Sequence, residues 1–147
     1  MRGSTLIIAI ILAPLGAFGA PRSDGVAIRQ SKFCERSSPA PPDAEVKARH
    51  DKFVDAFLVK KDVVEAFTYI AADYINNGAA NGAQGALDFL SRVWKNQTIA
   101  IHRTQYNNNT SLLNYDGSYG KNIIDRYRWT GGCIAEHWDR GEVWPAS

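Results

Sequence analysis

The sequence predicts an α+β fold: a curved, mainly antiparallel sheet covered by about three N-terminal helices and enclosing an apolar pocket. Three observations predict it. Apolar residues recur at helical spacing from about residue 43 to residue 95, they alternate after residue 97, and Asn, Asp and Gly fill the junctions of the second half. Helices followed by a strand meander define the α+β layout. The 147 residues are 45% hydrophobic and 11% aromatic, enough to bury a core. A formal net charge of +2, from 17 basic and 15 acidic residues, excludes a nucleic-acid binder driven by bulk charge.

The chain opens with Met1-Arg2-Gly3-Ser4, an apolar run from Leu6 to Ala13, and small residues through Ala20. A basic start, a short apolar core and a small-residue end read as a secretory signal peptide over 1–19, cleaved after Ala17-Phe18-Gly19. A membrane anchor is the alternative. It needs about 20 continuous apolar residues, and Pro14 and Gly16 interrupt the run. The expected location is therefore extracellular, with no membrane attachment after the signal is removed. Residues 20–42 form a polar arm ending in Pro39-Ala40-Pro41-Pro42, and the folded domain spans 43–147.

Asp43 is a plausible N-cap for the first helix. Its apolar stripe is Val46, His50, Phe53, Val54, Phe57 and Leu58, and it ends at Lys60-Lys61-Asp62. Asp62 can cap a second, shorter helix that faces Val63, Val64, Ala66, Phe67 and Ile70 inward. Asp73 to Gly78 reads as extended, and a third helix runs from about Gln84 to Lys95 with Leu87, Leu90, Val93 and Trp94 on its stripe. Strands follow at about 98–106, 111–116, 121–129 and 133–143, with turns at Asn107-Asn108-Asn109, Asp116-Gly117-Ser118 and Thr130-Gly131-Gly132.

Secretion changes how the cysteines read. Cys34 and Cys133, 99 positions apart, are expected to pair in an oxidising compartment, with two buried free thiols as the alternative. Asn96, Asn108 and Asn109 each begin a glycosylation sequon, and the polar loop around Asn108 and Asn109 is the better acceptor.

The last two strands carry the candidate chemistry. A three-residue loop at Thr130-Gly131-Gly132 would pair Trp129 with Cys133, set Asp125 opposite His137 and leave Asp139 on the same face. Two carboxylates beside an imidazole can abstract and return protons. A two-residue loop at Gly131-Gly132 would instead take Asp125 off that face and dissolve the triad. Structural roles stand beside the catalytic one: Asp125 paired with an arginine, His137 hydrogen-bonded in the core, Asp139 closing the strand end. Scattered histidines give no metal signature. Neither a phosphate loop nor a nucleophile elbow occurs, so no cofactor is expected. Tyr74, His102, Tyr115, Tyr127 and Trp129 are the other candidate pocket residues, and His50 reads as structural.

The run Asp125-Arg126-Tyr127-Arg128, a Gly-containing turn, then Ile134-Ala135-Glu136-His137-Trp138-Asp139 resembles the C-terminal hairpin of SnoaL-like, polyketide-cyclase-like proteins. These belong to the nuclear-transport-factor-two-like (NTF2-like) superfamily. The resemblance extends more loosely over about 45–143, through Ala56-Phe57-Leu58, Ala72-Asp73-Tyr74-Ile75 and Leu87-Asp88-Phe89-Leu90. It implies a cone-shaped, strongly curved mixed sheet with an apolar cavity at its wide end. It also implies a dimer through the outer sheet face. In the cyclases, the aspartate matching Asp139 is the general acid/base of an intramolecular aldol ring closure, and a histidine matching Asp125 assists it. This chain keeps the first and has a carboxylate at the second. Relatives carry a histidine shortly after Tyr-Ile; here the sequence is Tyr74-Ile75-Asn76-Asn77-Gly78. The implied functions are a cofactor-free cyclase, isomerase or dehydratase for an apolar small molecule, or a secreted binding protein using the same pocket without turnover.

Overall fold

The computed structural model describes residues 32–78 and 80–146; the segment 1–19 expected to be a signal peptide and the start of the arm lie outside the described residues. The element order is α1 (Asp43–Val54), a π turn (Asp55–Val59), α2 (Val63–Phe67), β1 (Ile70–Asn76), α3 (Gly82–Val93), a 3-10 turn (Trp94–Asn96), then β2 (Ala100–Asn107), β3 (Thr110–Gly117), β4 (Gly120–Thr130) and β5 (Cys133–Trp138). The strands form one sheet in the order β1-β5-β4-β3-β2. β1 runs parallel to β5, and the other pairs are antiparallel. The sheet is thus mixed and open, and the helices pack on one face.

The first helix departs from its expected form at both ends. Pro42, not Asp43, is the N-cap; no side chain caps the helix, and the Asp43 carboxylate accepts from the Tyr106 hydroxyl at 2.7 Å. The helix widens into the π turn, where the Lys60 N–H bonds to the Asp55 carbonyl. Phe53 and Phe57 stay stacked at 5.4 Å across this widening. The Trp94 indole donates to the Phe57 carbonyl at 2.6 Å, which ties the turn to the end of α3. Asp62 does cap α2, accepting from the Glu65 N–H at 2.9 Å. That helix stops at Phe67, so Ile70 opens β1 and does not extend the helix.

Two strand connections are tighter than expected. Asn108 and Asn109 both adopt positive φ, as do Gly131 and Gly132. These are two-residue turns whose twist suits a hairpin. Thr130 therefore pairs with Cys133, not Trp129 with Cys133. The turn between β3 and β4 is Ser118-Tyr119, flanked by the paired Gly117 and Gly120. β5 ends at Trp138, well short of residue 143; Gly141 then turns the chain at positive φ.

The core is aromatic. Phe53 sits edge-on to Tyr127 at 5.1 Å and to Trp129 at 6.4 Å, and Phe57 stacks on Trp94 at 4.3 Å. Such pairs add to burial because ring edges and faces carry opposite partial charge. Behind Trp129, the buried Ser111 hydroxyl accepts from its indole at 2.6 Å and lies 2.8 Å from Nδ1 of His50. Among the described residues His50 Nδ1 is the one acceptor within reach of the Ser111 hydroxyl, so the Ser111 hydrogen points at His50, whose Nδ1 accepts and whose proton sits on Nε2. His50 is structural and held neutral: desolvation lowers it from 6.5 to about 4.

A disulfide joins Cys34 to Cys133. Cys34 also donates its N–H to the Ile70 carbonyl at 2.8 Å and bridges to Ala71, so the arm adds a stub of strand beside β1. The outer sheet face, expected to serve a dimer, carries the chain's own tail. Glu142 grips Arg126 of β4 through two bonds of 2.7 and 2.9 Å, and Trp144 lies under Arg103 of β2 at 4.1 Å. Among the described residues no helix is long and apolar enough to cross a membrane.

Replacing both Cys34 and Cys133 by Ala frees a very long loop in the unfolded chain. It is expected to lower unfolding stability by about 2–5 kcal/mol, read as a drop in the urea midpoint. His50 sets a second expectation. Its folded value lies below its unfolded one, so the unfolded chain takes up this proton first. Stability is complete above about pH 6.5 and falls as the pH drops toward about 4. The loss is of order 3 kcal/mol, and a His50→Gln variant loses that part of the slope.

Candidate active site

Period-two geometry selects the side chains that line the concave face. Tyr74 and Asn76 alternate on β1, Tyr115 stands on β3, Asp125 and Tyr127 on β4, and His137 on β5, with Asp139 just beyond it. All seven border one cavity of about 870 Å³. Much of the remaining wall is apolar, with Phe53 from α1, Phe57 from the π turn, Phe67 from α2, Leu90 and Val93 from α3, and Trp94, while Gln97, Asn122, Arg140 and Glu142 add polar and charged lining. Phe89 and Tyr119 stand at the mouth, 54% and 79% exposed.

The triad is kept by a route the sequence reading did not foresee. The two-residue turn, acting alone, would have turned Asp125 away from His137. However, Trp129 pairs with Ile134 while Arg128 pairs with Glu136, so Ala135 has no partner across the ladder. This β-bulge shifts the register by one residue and restores the original parity. Tyr127 now lies opposite His137, and Asp125, two residues away on the same face, reaches His137 Nε2 at 3.2 Å.

Asp125 is 4% exposed and is the hub of the polar end. Its Oδ2 accepts from the Tyr115 hydroxyl at 2.8 Å and more weakly from the Tyr127 hydroxyl at 3.4 Å; its Oδ1 faces His137. The arginines beside it in sequence point to the outer face, where Arg128 pairs with Glu136 and Arg126 pairs with Glu142 and lies over the Trp138 ring. Neither neutralises Asp125. The Tyr127 ring stacks on the His137 imidazole at 4.7 Å, and His137 Nδ1 lies 2.9 Å from Asn76 Oδ1. Burial, with help from the Asp125 carboxylate, pushes the phenols of Tyr74, Tyr115 and Tyr127 well above their ordinary range. They therefore remain hydrogen-bond donors across the ordinary pH range.

Asp139 differs from Asp125. Its Oδ1 is buried and has no hydrogen-bond partner. Its Oδ2 lies where a Cβ on residue 78 would come within 2.9 Å, so Gly78 leaves it space. A buried carboxylate oxygen without a donor is an unsatisfied acceptor.

Two expected pocket residues lie elsewhere. His102 falls at the irregularity between Ile101 and Arg103 of β2, is exposed, and bonds to Asp116 at 3.0 Å. Trp129 lies on the concave face but at the closed end, where it fills the core against Phe53 and Ser111. Conversely, Asn76 and Gly78 border the site without having been singled out for it. The signal was available: Asn76 shares a strand face with Tyr74, already placed in the pocket. The sequon residues Asn96, Asn108 and Asn109 are all exposed, the last two forming the β2–β3 turn.

No family model matches the sequence, and no curated protein matches it. Solved structures do. An NTF2-like protein of unknown function from Burkholderia xenovorans matches with a TM-score of 0.56 at 12% identity, over 71% of this chain and 89% of that one. A SnoaL-like protein of unknown function from Burkholderia thailandensis gives 0.54 at 10% identity, over 67% and 95%. A candidate polyketide cyclase from Sinorhizobium meliloti gives 0.52 at 12% identity, over 68% and 100%. The chain has the SnoaL-like, NTF2-like cone fold. At these identities the likeness establishes architecture, and the chemistry must come from the site itself.

Truncating the hub tests its place in the structure. Asp125→Ala strands two phenol hydroxyls and an imidazole nitrogen without their acceptor, at an expected cost of about 3 kcal/mol in urea unfolding. Asp125→Asn keeps an acceptor oxygen and is expected to cost less.

Proposed function

We propose that the protein is a secreted, cofactor-free acid/base catalyst acting on an apolar, carbonyl-bearing small molecule. The reaction class is aldol-type cyclisation, isomerisation or dehydration. The observation that carries this reading is the buried, unpartnered Oδ1 of Asp139, in a side chain that borders a largely aromatic cavity.

Each such reaction starts by removing a proton from carbon next to a carbonyl. Asp139, whose side chain borders the cavity and whose Oδ1 has no donor of its own, takes that proton. Tyr74, which lines the same cavity and is held protonated, donates a hydrogen bond to the carbonyl oxygen as negative charge develops there. The Asp125–His137 pair supplies the polar environment beside it. Asp139 then returns its proton to another ligand atom, so the protein ends unchanged. The aromatic walls offer an apolar surface to the ligand's hydrocarbon part. The Cys34–Cys133 disulfide and the exposed sequon asparagines support an extracellular setting, with glycans on Asn108 or Asn109 in the loop and on Asn96.

The test begins without assuming a substrate. The full chain, secreted from its natural source, is examined by native mass spectrometry for co-purifying small molecules, then incubated with an extract of the same source. Wild type is expected to convert at least one extract component, and Asp139→Asn to bind it with conversion slowed about 100-fold or more. Binding without conversion in both forms, or equal conversion in both, would reject catalysis by Asp139.

A further inference from the structure

The hydrogen-bond partners of His137 determine where its protons sit. Nδ1 lies 2.9 Å from Oδ1 of Asn76. That same oxygen accepts the Gly78 N–H at 3.0 Å, which fixes the amide orientation, because the reversed amide would set NH2 against N–H. A carbonyl oxygen cannot donate, so Nδ1 must carry a hydrogen. At the other side of the ring, Nε2 faces Asp125 Oδ1 at 3.2 Å. If that gap held no proton, a nitrogen lone pair would face a carboxylate oxygen. One proton therefore lies on the Nε2–Oδ1 axis, on the imidazole or on the carboxyl group. The second Asp125 oxygen is occupied by the Tyr115 and Tyr127 hydroxyls.

We propose that Asn76 is a positioning residue that fixes His137 in the Nδ1–H form. Asp125 and His137 thereby act as one proton-holding unit beside the bare acceptor Asp139. Free imidazole needs no such guidance to carry its single proton on either nitrogen, and His50 of this chain carries it on Nε2, because Ser111 donates to its Nδ1. The buried His50 and the part-buried His137 thus take opposite tautomers, each dictated by one neighbour. Groups facing His137 are Asp125, Asn76 and the stacked Tyr127 ring, with Asp139 on the same cavity wall. This division of labour rests on the acid/base reading above. Asp139 takes and returns the ligand's proton, and the Asp125–His137 unit beside it keeps its own proton in place through the cycle. The assignment of the ring proton to Asn76 does not rest on that reading.

Nitrogen-15 NMR of the folded, disulfide-intact protein reads each ring nitrogen directly. The pH is raised until His137 carries one ring proton. In wild type that proton is expected on Nδ1. In Asn76→Ala it moves to Nε2, and in Asn76→Asp, which keeps an acceptor oxygen, it returns to Nδ1. His50 reports that the fold is intact if its single proton stays on Nε2 in all three. A wild-type His137 with its proton on Nε2, or a proton left on Nδ1 in Asn76→Ala while His50 is unchanged, overturns the proposal. Should Asp139→Asn leave turnover intact while Nδ1 behaves as expected, the catalytic reading fails and the role of Asn76 stands. Where turnover is found, Asn76→Ala is expected to lower kcat with little change in KM, and Asn76→Asp to restore it.

Discussion

In a strand, one residue of slip moves every later side chain to the opposite face, and this site depends on where that slip occurs. The Gly131-Gly132 turn sets one parity for β5, and the unpaired Ala135 reverses it before Glu136 is reached. Without the bulge, His137 would share the outer face with Arg126, and Trp138 would be turned into the cavity. With it, Glu136 and Trp138 meet Arg128 and Arg126 outside, while His137 meets Tyr127 and Asp125 inside. The charges on β4 are thereby sorted: the arginines find their partners on the outer face, and Asp125 is left to the hydroxyls and the imidazole.

That sorting gives the cavity its character. A buried carboxylate is stabilised by an opposite charge or by hydrogen-bond donors. Asp125 accepts from two phenol hydroxyls and shares one proton with the His137 imidazole, and all three rings also build the wall. The polar end and the aromatic wall are therefore made of the same residues. Asp139 was given no such partners. It lies between Trp138, held by Arg126, and Glu142, held by the same arginine. One outward-facing side chain thus anchors the backbone on both sides of an inward-facing carboxylate.

Much of this was legible. The helical stripe from Val46 to Leu58 is buried apart from a half-buried Val54, and the cysteines that secretion would oxidise are joined. Asp125, His137 and Asp139 could be assigned to one face because the hairpin's residues allow it, although the register proposed for them was wrong in detail. Two errors, the turn and the missing bulge, cancel in parity. His102 and Trp129 show the limit of alternation: an irregularity in β2 takes one out of line, and depth along the cone takes the other below the cavity floor.

The sequence by itself determined the class of fold, the order of its elements and the identity of the reactive groups, because hydrophobic period and turn chemistry act over a few residues. Tertiary structure decided which of those groups meet. The parallel pairing of β1 with β5 brings Asn76 beside His137, 61 positions away, and Gly78 beside Asp139, also 61 away. No local pattern records that neighbourhood. A hydrogen bond between distant strands follows from the register of the whole sheet, and that register is set by the bulge, the turns and the core packed behind them.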